Sequence, residues 1–253
     1  MKKNKMVLCC ILTAVLVLVN GGLYGFAQPV QESGTLFNEL SEPDTIMFGD
    51  TNGDGIVNST DYILVSRYIL GTISSFPYDK GIITADTNAD GFVNSTDSSL
   101  IKRYVLDIIS KFPAEAVVQN MPQKVFEFNY TNHAWAYYNR GWYIDNSGNI
   151  YYYDYAKEPK EEKLIGSISK KELVEKFLYL LKASNNEKYE SYHRGFDMGA
   201  LTYKGYVPGA AVGEEKEVVL FVDGDWVEYN TCPFAKSLVD WMKSLEETYP
   251  EIY

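Results

Sequence analysis

Two twelve-residue stretches of this sequence place oxygen-bearing side chains at the same alternating positions. Residues 50–61 read DTNGDGIVNSTD and residues 86–97 read DTNADGFVNSTD, so ten of the twelve residues are identical at an offset of 36. In each stretch aspartate or asparagine fills the first, third, fifth, ninth and twelfth places, and a glycine fills the sixth. Hard oxygen ligands at this spacing favour calcium, which accepts six to eight of them, over magnesium with its stricter octahedron.

The two stretches predict two calcium ions, one in each loop. The seventh residue of each loop offers its main-chain carbonyl, as in an EF-hand loop. The predicted ligands of the first loop are Asp50, Asn52, Asp54, Ile56, Asn58 and Asp61. The predicted ligands of the second loop are Asp86, Asn88, Asp90, Phe92, Asn94 and Asp97.

Both loops depart from the common EF-hand pattern. Their last ligand is aspartate instead of the longer glutamate, and no amphipathic helix is expected before either loop; Pro43 and Gly49 precede the first. Each unit is therefore expected to be a loop followed by one helix. The alternative is an Asx-rich turn that caps a helix without metal, but two in-phase copies with every ligand place filled argue against it.

The elements that hold the loops follow from the extent of the repeat. The match continues beyond each loop through one helix and ends at Phe112-Pro113. We therefore divide the chain into a signal peptide (1–27), a linker (28–46), the duplicated module (47–113), a second linker (114–122) and a C-terminal domain (123–253).

Two loop-helix units with Ser-Thr before the final aspartate and Arg-Tyr on the following helix resemble a type I dockerin. The resemblance covers about residues 48–113, a quarter of the chain, and its motifs are specific. It implies a small all-α module that needs calcium to fold and that docks onto a cohesin domain of a cellulosomal scaffold protein. The resemblance, together with a small apolar patch ringed by hydroxyls and arginines, predicts partner contacts from Ser59, Thr60, Leu64, Arg67, Ser95, Thr96, Leu100, Lys102 and Arg103.

The internal two-fold symmetry implied by the resemblance lets either helix face the cohesin. The copies differ, since Ser66 stands where the second copy has Lys102, and Gly71 stands where it has Asp107. We expect the second face to bind somewhat better. The alternative role for the Ser-Thr pairs is ordinary helix capping, with solvated arginines.

The N-terminus and the overall charge bear on location and partners. Three lysines precede an apolar run over residues 6–19, which is shorter than the roughly 20 residues of a spanning helix and is typical of a cleaved secretory signal. We therefore expect a secreted, extracellular protein of cell-surface cellulosomes, with no membrane segment after cleavage. The formal charge of −11 makes nucleic acid an improbable partner. Cys232 would be the one cysteine left and is expected to be a buried or tolerated residue at a helix start.

The C-terminal domain is expected to be α+β, with antiparallel strands and two main helices. The alternation of aromatic and polar residues over 126–130 predicts a strand. Residues 142–155 and 217–229 predict two hairpins. A capping-box pattern at Ser169 opens a helix to about Lys182, and Pro233 opens another to about Thr248. The expected inward residues are Leu173, Phe177, Leu180 and Leu181 of the first helix and Phe234, Leu238, Trp241, Met242 and Leu245 of the second.

Three functions remain open for this domain. A glycan-acting enzyme would need paired carboxylates, for which the candidates are Asp145, Asp154, Asp197, Asp223, Asp225 and Glu228, although turn and surface roles explain most of them. A module that binds plant cell-wall polysaccharide would use flat aromatic faces, for which the candidates are Trp135, Tyr137, Tyr138, Trp142, Tyr143, Tyr151, Tyr152, Tyr153 and Tyr155. The third possibility is a protein-interaction or inhibitory domain. His133 and His193 have no partner at metal-ligand spacing, and no catalytic motif is recognised.

Overall fold

The computed structural model describes residues 46–133, 137–195, 199–211 and 213–249. The expected signal peptide, nearly all of the first linker, Trp135 and Asp197 lie outside the described residues. Within these ranges, no helix has the length and apolar character needed to cross a membrane.

The duplicated module (residues 47–113) consists of two loops that each lead into an eleven-residue helix. These helices are α1 (Ser59–Ile69) and α3 (Ser95–Val105), with a short helix α2 (Gly81–Thr84) between them. Asn58 is the N-cap of α1: its side chain accepts from the Thr60 amide, while Asp61 accepts from the amide of Asn58 in return. Asn94 and Asp97 repeat this capping box on α3. The last predicted calcium ligand of each loop thus also fixes the start of the helix.

The two halves of the module pack with matching aromatic pairs. Helix α1 packs against α3. Tyr68 stacks on Phe76 with ring centroids 4.8 Å apart, and at the equivalent positions Tyr104 stacks on Phe112 at 4.7 Å. The duplication therefore extends to the contacts that close each half.

The predicted linker at 114–122 is wrong, because most of it is helix α4 (Pro113–Gln119). Proline at its first position and Glu115, whose carboxylate accepts from the Phe112 amide at 3.0 Å, start this helix. Ala114 is fully buried, and its amide donates to the carbonyl of Thr87 in the second loop at 3.0 Å. Residues 113–119 are therefore docked against the duplicated module.

The C-terminal domain contains one eight-stranded antiparallel sheet in the described residues. The strands are β1 (Lys124–Asn132), β2 (Tyr138–Asp145), β3 (Asn149–Asp154), β4 (Glu161–Ser167), β5 (Tyr189–His193), β6 (Ala200–Pro208), β7 (Glu215–Asp223) and β8 (Trp226–Asn230). Their order across the sheet is β4-β3-β2-β1-β6-β7-β8-β5. The predicted strand and both hairpins are confirmed, while β4, β5 and β6 were not predicted.

Two long helices cover one face of the sheet, and both begin where the sequence predicts. They are α5 (Lys170–Asn185) and α6 (Pro233–Thr248). The Ser169 hydroxyl accepts from the Glu172 amide, but the Glu172 carboxylate accepts from the Trp241 indole at 2.8 Å and does not complete a capping box. The four predicted inward residues of α5 are buried, and on α6 Leu238, Met242 and Leu245 are buried while Phe234 and Trp241 are half-buried.

Candidate calcium loops and docking surface

The first loop is organised by the carboxylates at its two ends. The oxygens of Asp50 accept from the amides of Gly53 and Gly55 at 2.8 and 2.9 Å. Asp61 is fully buried; its Oδ1 accepts from the Thr51 amide at 2.8 Å and its Oδ2 from the Asn58 amide at 3.0 Å. Main-chain N–H groups thus orient both carboxylates and leave their remaining lone pairs for a ligand.

The second loop repeats this arrangement at equivalent atoms. Asp86 accepts from the Gly91 amide at 2.9 Å, and Asp97 accepts from the amides of Thr87 and Asn94, both at 2.9 Å. The structure therefore brings each predicted ligand set into one compact loop, in two copies.

The middle of each loop is held by an asparagine–aspartate pair. The Asn52 amide donates to Asp54 Oδ2, and the Asn88 amide donates to Asp90 Oδ2, each at 2.8 Å. Among the described residues, no group of three or more His, Cys, Asp or Glu side chains is arranged to hold a metal by itself. A metal in either loop would therefore also need the amide and main-chain oxygens that the ligand pattern includes, and calcium accepts such a mixed set.

The electrostatics of the second loop fit a cation. Burial raises the pKa of the Asp97 carboxyl, and the nearby Asp90 charge raises it further, against the hydrogen bonds from Asn94 and Thr87. Burial likewise raises the pKa of Asp86; the charge and hydrogen bond of Lys182 oppose this rise, and the charges of Asp97 and Asp90 add to it. Carboxylates that burial and mutual repulsion disfavour as anions would be stabilised by a divalent cation between them.

One residue at this loop was missed by sequence reasoning. Lys182 of α5 places its ammonium 2.9 Å from Asp86 Oδ2 and 3.3 Å from the Gly91 carbonyl, and its side chain is buried. Asn185 of the same helix donates to the Asp90 carbonyl at 2.7 Å. The contact joins residues 96 positions apart, so no local pattern could have indicated it.

The predicted partner-binding residues lie on accessible surface of both helices. The leucines Leu64 and Leu100 are half-buried. The hydroxyl-bearing and charged residues are exposed: Ser59, Thr60, Arg67, Ser95, Thr96, Lys102 and Arg103. Helix capping is done by Asn58 and Asn94, so the Ser-Thr hydroxyls do not serve as the N-caps. Both faces are therefore free for a partner.

Among the described residues, which do not include Asp197, the carboxylate candidates of the C-terminal domain do not form a pair. Asp145 accepts from two amides of its own turn, at Ser147 and Asn149. Asp223 pairs with Arg194 at the edge of β7. Asp154 lies on β3, four strands from β7 in the sheet order, which is roughly 19 Å at the usual strand spacing. Glycosidase carboxylates need a separation of about 5–10 Å.

The three candidates of the β7–β8 hairpin, Asp223, Asp225 and Glu228, do not form a carboxylate pair with one another either. Asp223 lies opposite Val227, and Glu228 lies opposite Val222, so Asp223 and Glu228 point to opposite faces of the sheet. Asp225 lies in the turn between the two strands, where its carbonyl accepts from the Arg194 amide at 2.7 Å.

The tyrosines of β2 and β3 divide between the two faces of the sheet. Tyr143 lies opposite Glu127 and Tyr151, whereas Trp142 lies opposite Phe128 on the helix-covered face and is fully buried. We call the other side the tyrosine face, formed by Tyr143, Tyr151, Tyr153, Tyr155 and Tyr206. Tyr152 belongs to the helix-side surface with Tyr138, and Tyr137 is exposed just before β2.

A buried glutamate lies at the centre of the tyrosine face, and sequence reasoning missed it. Glu127 accepts from the hydroxyls of Tyr153, at 2.8 Å, and Tyr206, and from the ammonium of Lys124 at 3.1 Å. Burial by itself would raise the pKa of Glu127, but these hydrogen bonds and the charges of Lys124 and Lys204 outweigh burial and lower it. Glu127 lies between Phe126 and Phe128 on β1, so the alternation of the strand indicated only that its side chain points away from the helix-covered face.

Within the part of the chain that the structure describes, His133, His193 and Cys232 form no reactive cluster. His133 contacts the ring of Tyr137, and His193 contacts that of Trp226, with centroids 5.3 and 5.0 Å apart. Cys232 is a buried free thiol at the N-cap of α6, as its place in the sequence predicts.

Comparison with known proteins identifies the duplicated module. Residues 48–106 match the model of the dockerin type I domain. The chain is 57% identical over 38 residues to the cellulase/esterase CelE of Acetivibrio thermocellus, and 44% identical over 43 residues to endoglucanase D of the same organism. These matches cover 15% and 17% of the chain but only 5% and 7% of the relatives' lengths.

Solved structures of similar sequence were also found. A ScaB dockerin in complex with the third cohesin ScaC of Acetivibrio cellulolyticus is 39% identical, with 28% of this chain and 99% of that chain covered and a TM-score of 0.28. A chain of the Coh-OlpC-Doc435 complex of Clostridium thermocellum is 44% identical to this chain. The match covers 27% of this chain and 97% of that chain, with a TM-score of 0.26. Dockerin type I domains in general bind calcium, and residues 123–253 lie outside the family match.

The hydroxyl of Thr51 tests the geometry of the first loop. Thr51 is buried and donates its hydroxyl to Asp61 Oδ1 at 3.1 Å, so Thr51→Val removes a bond that orients a ligand. We expect the calcium affinity of the first loop to fall by about 10-fold or more. Calorimetric titration measures this, with Thr72→Val, an exposed threonine bonded only to the Arg67 carbonyl, as the control. Equal affinities in the two variants would contradict the assignment.

The buried glutamate predicts a pH dependence. Because its pKa is lowered in the folded state, Glu127 stabilises the fold above its ordinary pKa, and this contribution disappears as the pH falls through the lowered value. We expect Glu127→Gln to lower the free energy of unfolding by about 2 kcal/mol at pH 7 and by less near pH 3.

Denaturant unfolding at the two pH values measures this difference. Glu162→Gln serves as the control, because Glu162 accepts from the Tyr143 hydroxyl but is exposed. A Glu127→Gln effect that is the same at both pH values would be evidence against a charged Glu127.

Proposed function

Because residues 48–106 form a dockerin type I domain, we propose that this chain is a secreted cellulosome component that docks through calcium onto a cohesin domain of a scaffold protein. The proposal rests on one observation: the residue that ends each loop also helps to start the helix that carries the docking surface. Asp61 and Asp97 close the two loops and also complete the capping boxes of the helices that present the Ser-Thr and arginine residues.

Each loop is proposed to hold one calcium ion, giving two per chain. The proposed ligands are the twelve residues of the repeated pattern, which lie in two loops with equivalent hydrogen bonds between carboxylates and main-chain amides. Calcium would offset the repulsion between the carboxylates of each loop and so order the helix that follows it.

The docking surface is proposed to be either of two related faces. One is formed by Ser59, Thr60, Leu64 and Arg67 on α1, and the other by Ser95, Thr96, Leu100, Lys102 and Arg103 on α3. The additional exposed charge of Lys102, at the place of Ser66 in the first copy, favours the α3 face.

Substitutions at the two Ser-Thr pairs test this surface. We expect Ser95→Trp with Thr96→Trp to weaken cohesin binding more than Ser59→Trp with Thr60→Trp, and the fourfold variant to lose binding. The substituted hydroxyls are exposed and do not cap the helices, so the fold and the calcium loops are expected to persist. Calorimetric titration against a purified cohesin, with circular dichroism as the folding control, measures the losses. Full binding by the fourfold variant would contradict the proposed surface.

A second candidate function concerns the C-terminal domain, which would bind plant cell-wall polysaccharide on the tyrosine face. The rings of Tyr143 and Tyr151 stack at 5.1 Å and those of Tyr153 and Tyr155 at 4.6 Å. Tyr143, Tyr151 and Tyr155 are half-exposed, so a row of aromatic surface follows adjacent strands. Such rings can stack on sugars, while Asn129, which donates to the Tyr153 hydroxyl, adds an amide beside them.

Retention on insoluble polysaccharide tests this second function. We expect Tyr151→Ala to reduce binding of the full chain to insoluble cell-wall polysaccharide several-fold, because its ring is half-exposed on the tyrosine face. Tyr152→Ala, also half-exposed but on the opposite face, is the matched control. Release of reducing ends by the parental chain would instead favour a glycan-acting enzyme, and neither retention nor release would favour a protein-interaction domain.

A further inference from the structure

The two loops are nearly identical in sequence but have different surroundings. A Cβ atom built on Gly55 of the first loop would meet nothing within 4 Å, whereas on Gly91 it would meet Asn185 Cβ at 2.9 Å and the Leu181 carbonyl at 3.3 Å. Gly55 is exposed and Gly91 is buried. The C-terminal end of α5 therefore covers the second loop and leaves the first loop open.

This helix end delivers a positive charge to the second loop. The Lys182 ammonium lies 2.9 Å from Asp86 Oδ2, and the side chains are only 3% and 5% exposed, so the ion pair is screened little by solvent. Both oxygens of Asp86 and both oxygens of the equivalent Asp50 accept main-chain amides, but among the described residues only Asp86 also has an ion pair.

A buried ammonium beside a ligand carboxylate has two opposite effects. Without calcium it compensates part of the negative charge of Asp86, Asp90 and Asp97, and so stabilises the folded loop. With calcium it repels the incoming divalent ion, because two like charges then share one poorly solvated site. Both effects make the free energy of calcium binding to the second loop less favourable.

We propose that Lys182 is a built-in cation that keeps the second loop folded before calcium binds and makes its calcium affinity lower than that of the first loop. This inference rests on the proposed calcium loops and adds that the C-terminal domain sets the calcium requirement of half of the docking module. As calcium falls, the first loop and α1 lose their order before the second loop and α3, which are tied to α5 through Lys182 and Asn185.

Single-loop variants of the full chain measure each affinity separately. Asp54→Ala removes a ligand of the first loop, so calcium titration of that variant reports the second loop. Asp90→Ala removes the equivalent ligand of the second loop and so reports the first. We expect the second loop to bind calcium at least tenfold more weakly than the first. Equal calcium affinities of the two loops in these variants, in which Lys182 is unchanged, would overturn the proposal.

The decisive substitution is Lys182→Met, which keeps an unbranched buried side chain and removes its charge. In the Asp54→Ala chain we expect it to tighten calcium binding at least tenfold, and in the Asp90→Ala chain to change binding less than twofold. Lys182→Arg, which keeps the charge, should leave the affinity of the second loop near the parental value. An unchanged or weakened second-loop affinity in the Lys182→Met chain would overturn the proposal.

The outcomes also separate this inference from the proposed function. If neither single-loop variant binds calcium, the calcium loops themselves are wrong, and this inference falls with them. If both bind with equal affinity and Lys182→Met has no effect, the calcium-dependent docking stands and only the role of Lys182 is refuted.

Discussion

The structure of the duplicated module depends on the crowding of carboxylates in two short loops. Asp61 and Asp97 are fully buried at the point where each loop becomes a helix, and each receives main-chain N–H groups from both ends of its loop. The same two residues complete the capping boxes of α1 and α3. Calcium bound in the proposed loops would therefore stabilise the start of each helix as well as the loop, because the same two residues serve both.

The C-terminal domain is joined to this module by more than a chain connection. Helix α4 hydrogen-bonds to the second loop through Ala114, and α5 covers that loop with Lys182 and Asn185. The far side of the sheet carries the tyrosine face around Glu127. The domain thus has one helical side engaged with the docking module and one aromatic side available for a ligand.

Sequence reasoning succeeded mainly where the determinants were local. The starts of α1, α3, α5 and α6 and the β2–β3 turn follow from caps and turn residues within a few positions of one another. It failed where the determinants were distant or ambiguous: residues 113–119 carried helix-start signals that the end of the repeat concealed, and β4 to β6 lack a clear alternation. The Lys182–Asp86 contact and the Glu127 cluster join residues far apart in sequence, so only the fold could reveal them.

The measurement that tests the central claim most directly is amide hydrogen exchange of the full chain with excess calcium and with excess chelator, paired with cohesin binding in the same buffers. The account predicts that chelation removes protection from the first loop and α1, weakens protection in α3, leaves the sheet protected and abolishes cohesin binding. Unchanged protection in α1 and undiminished cohesin binding in excess chelator would contradict it.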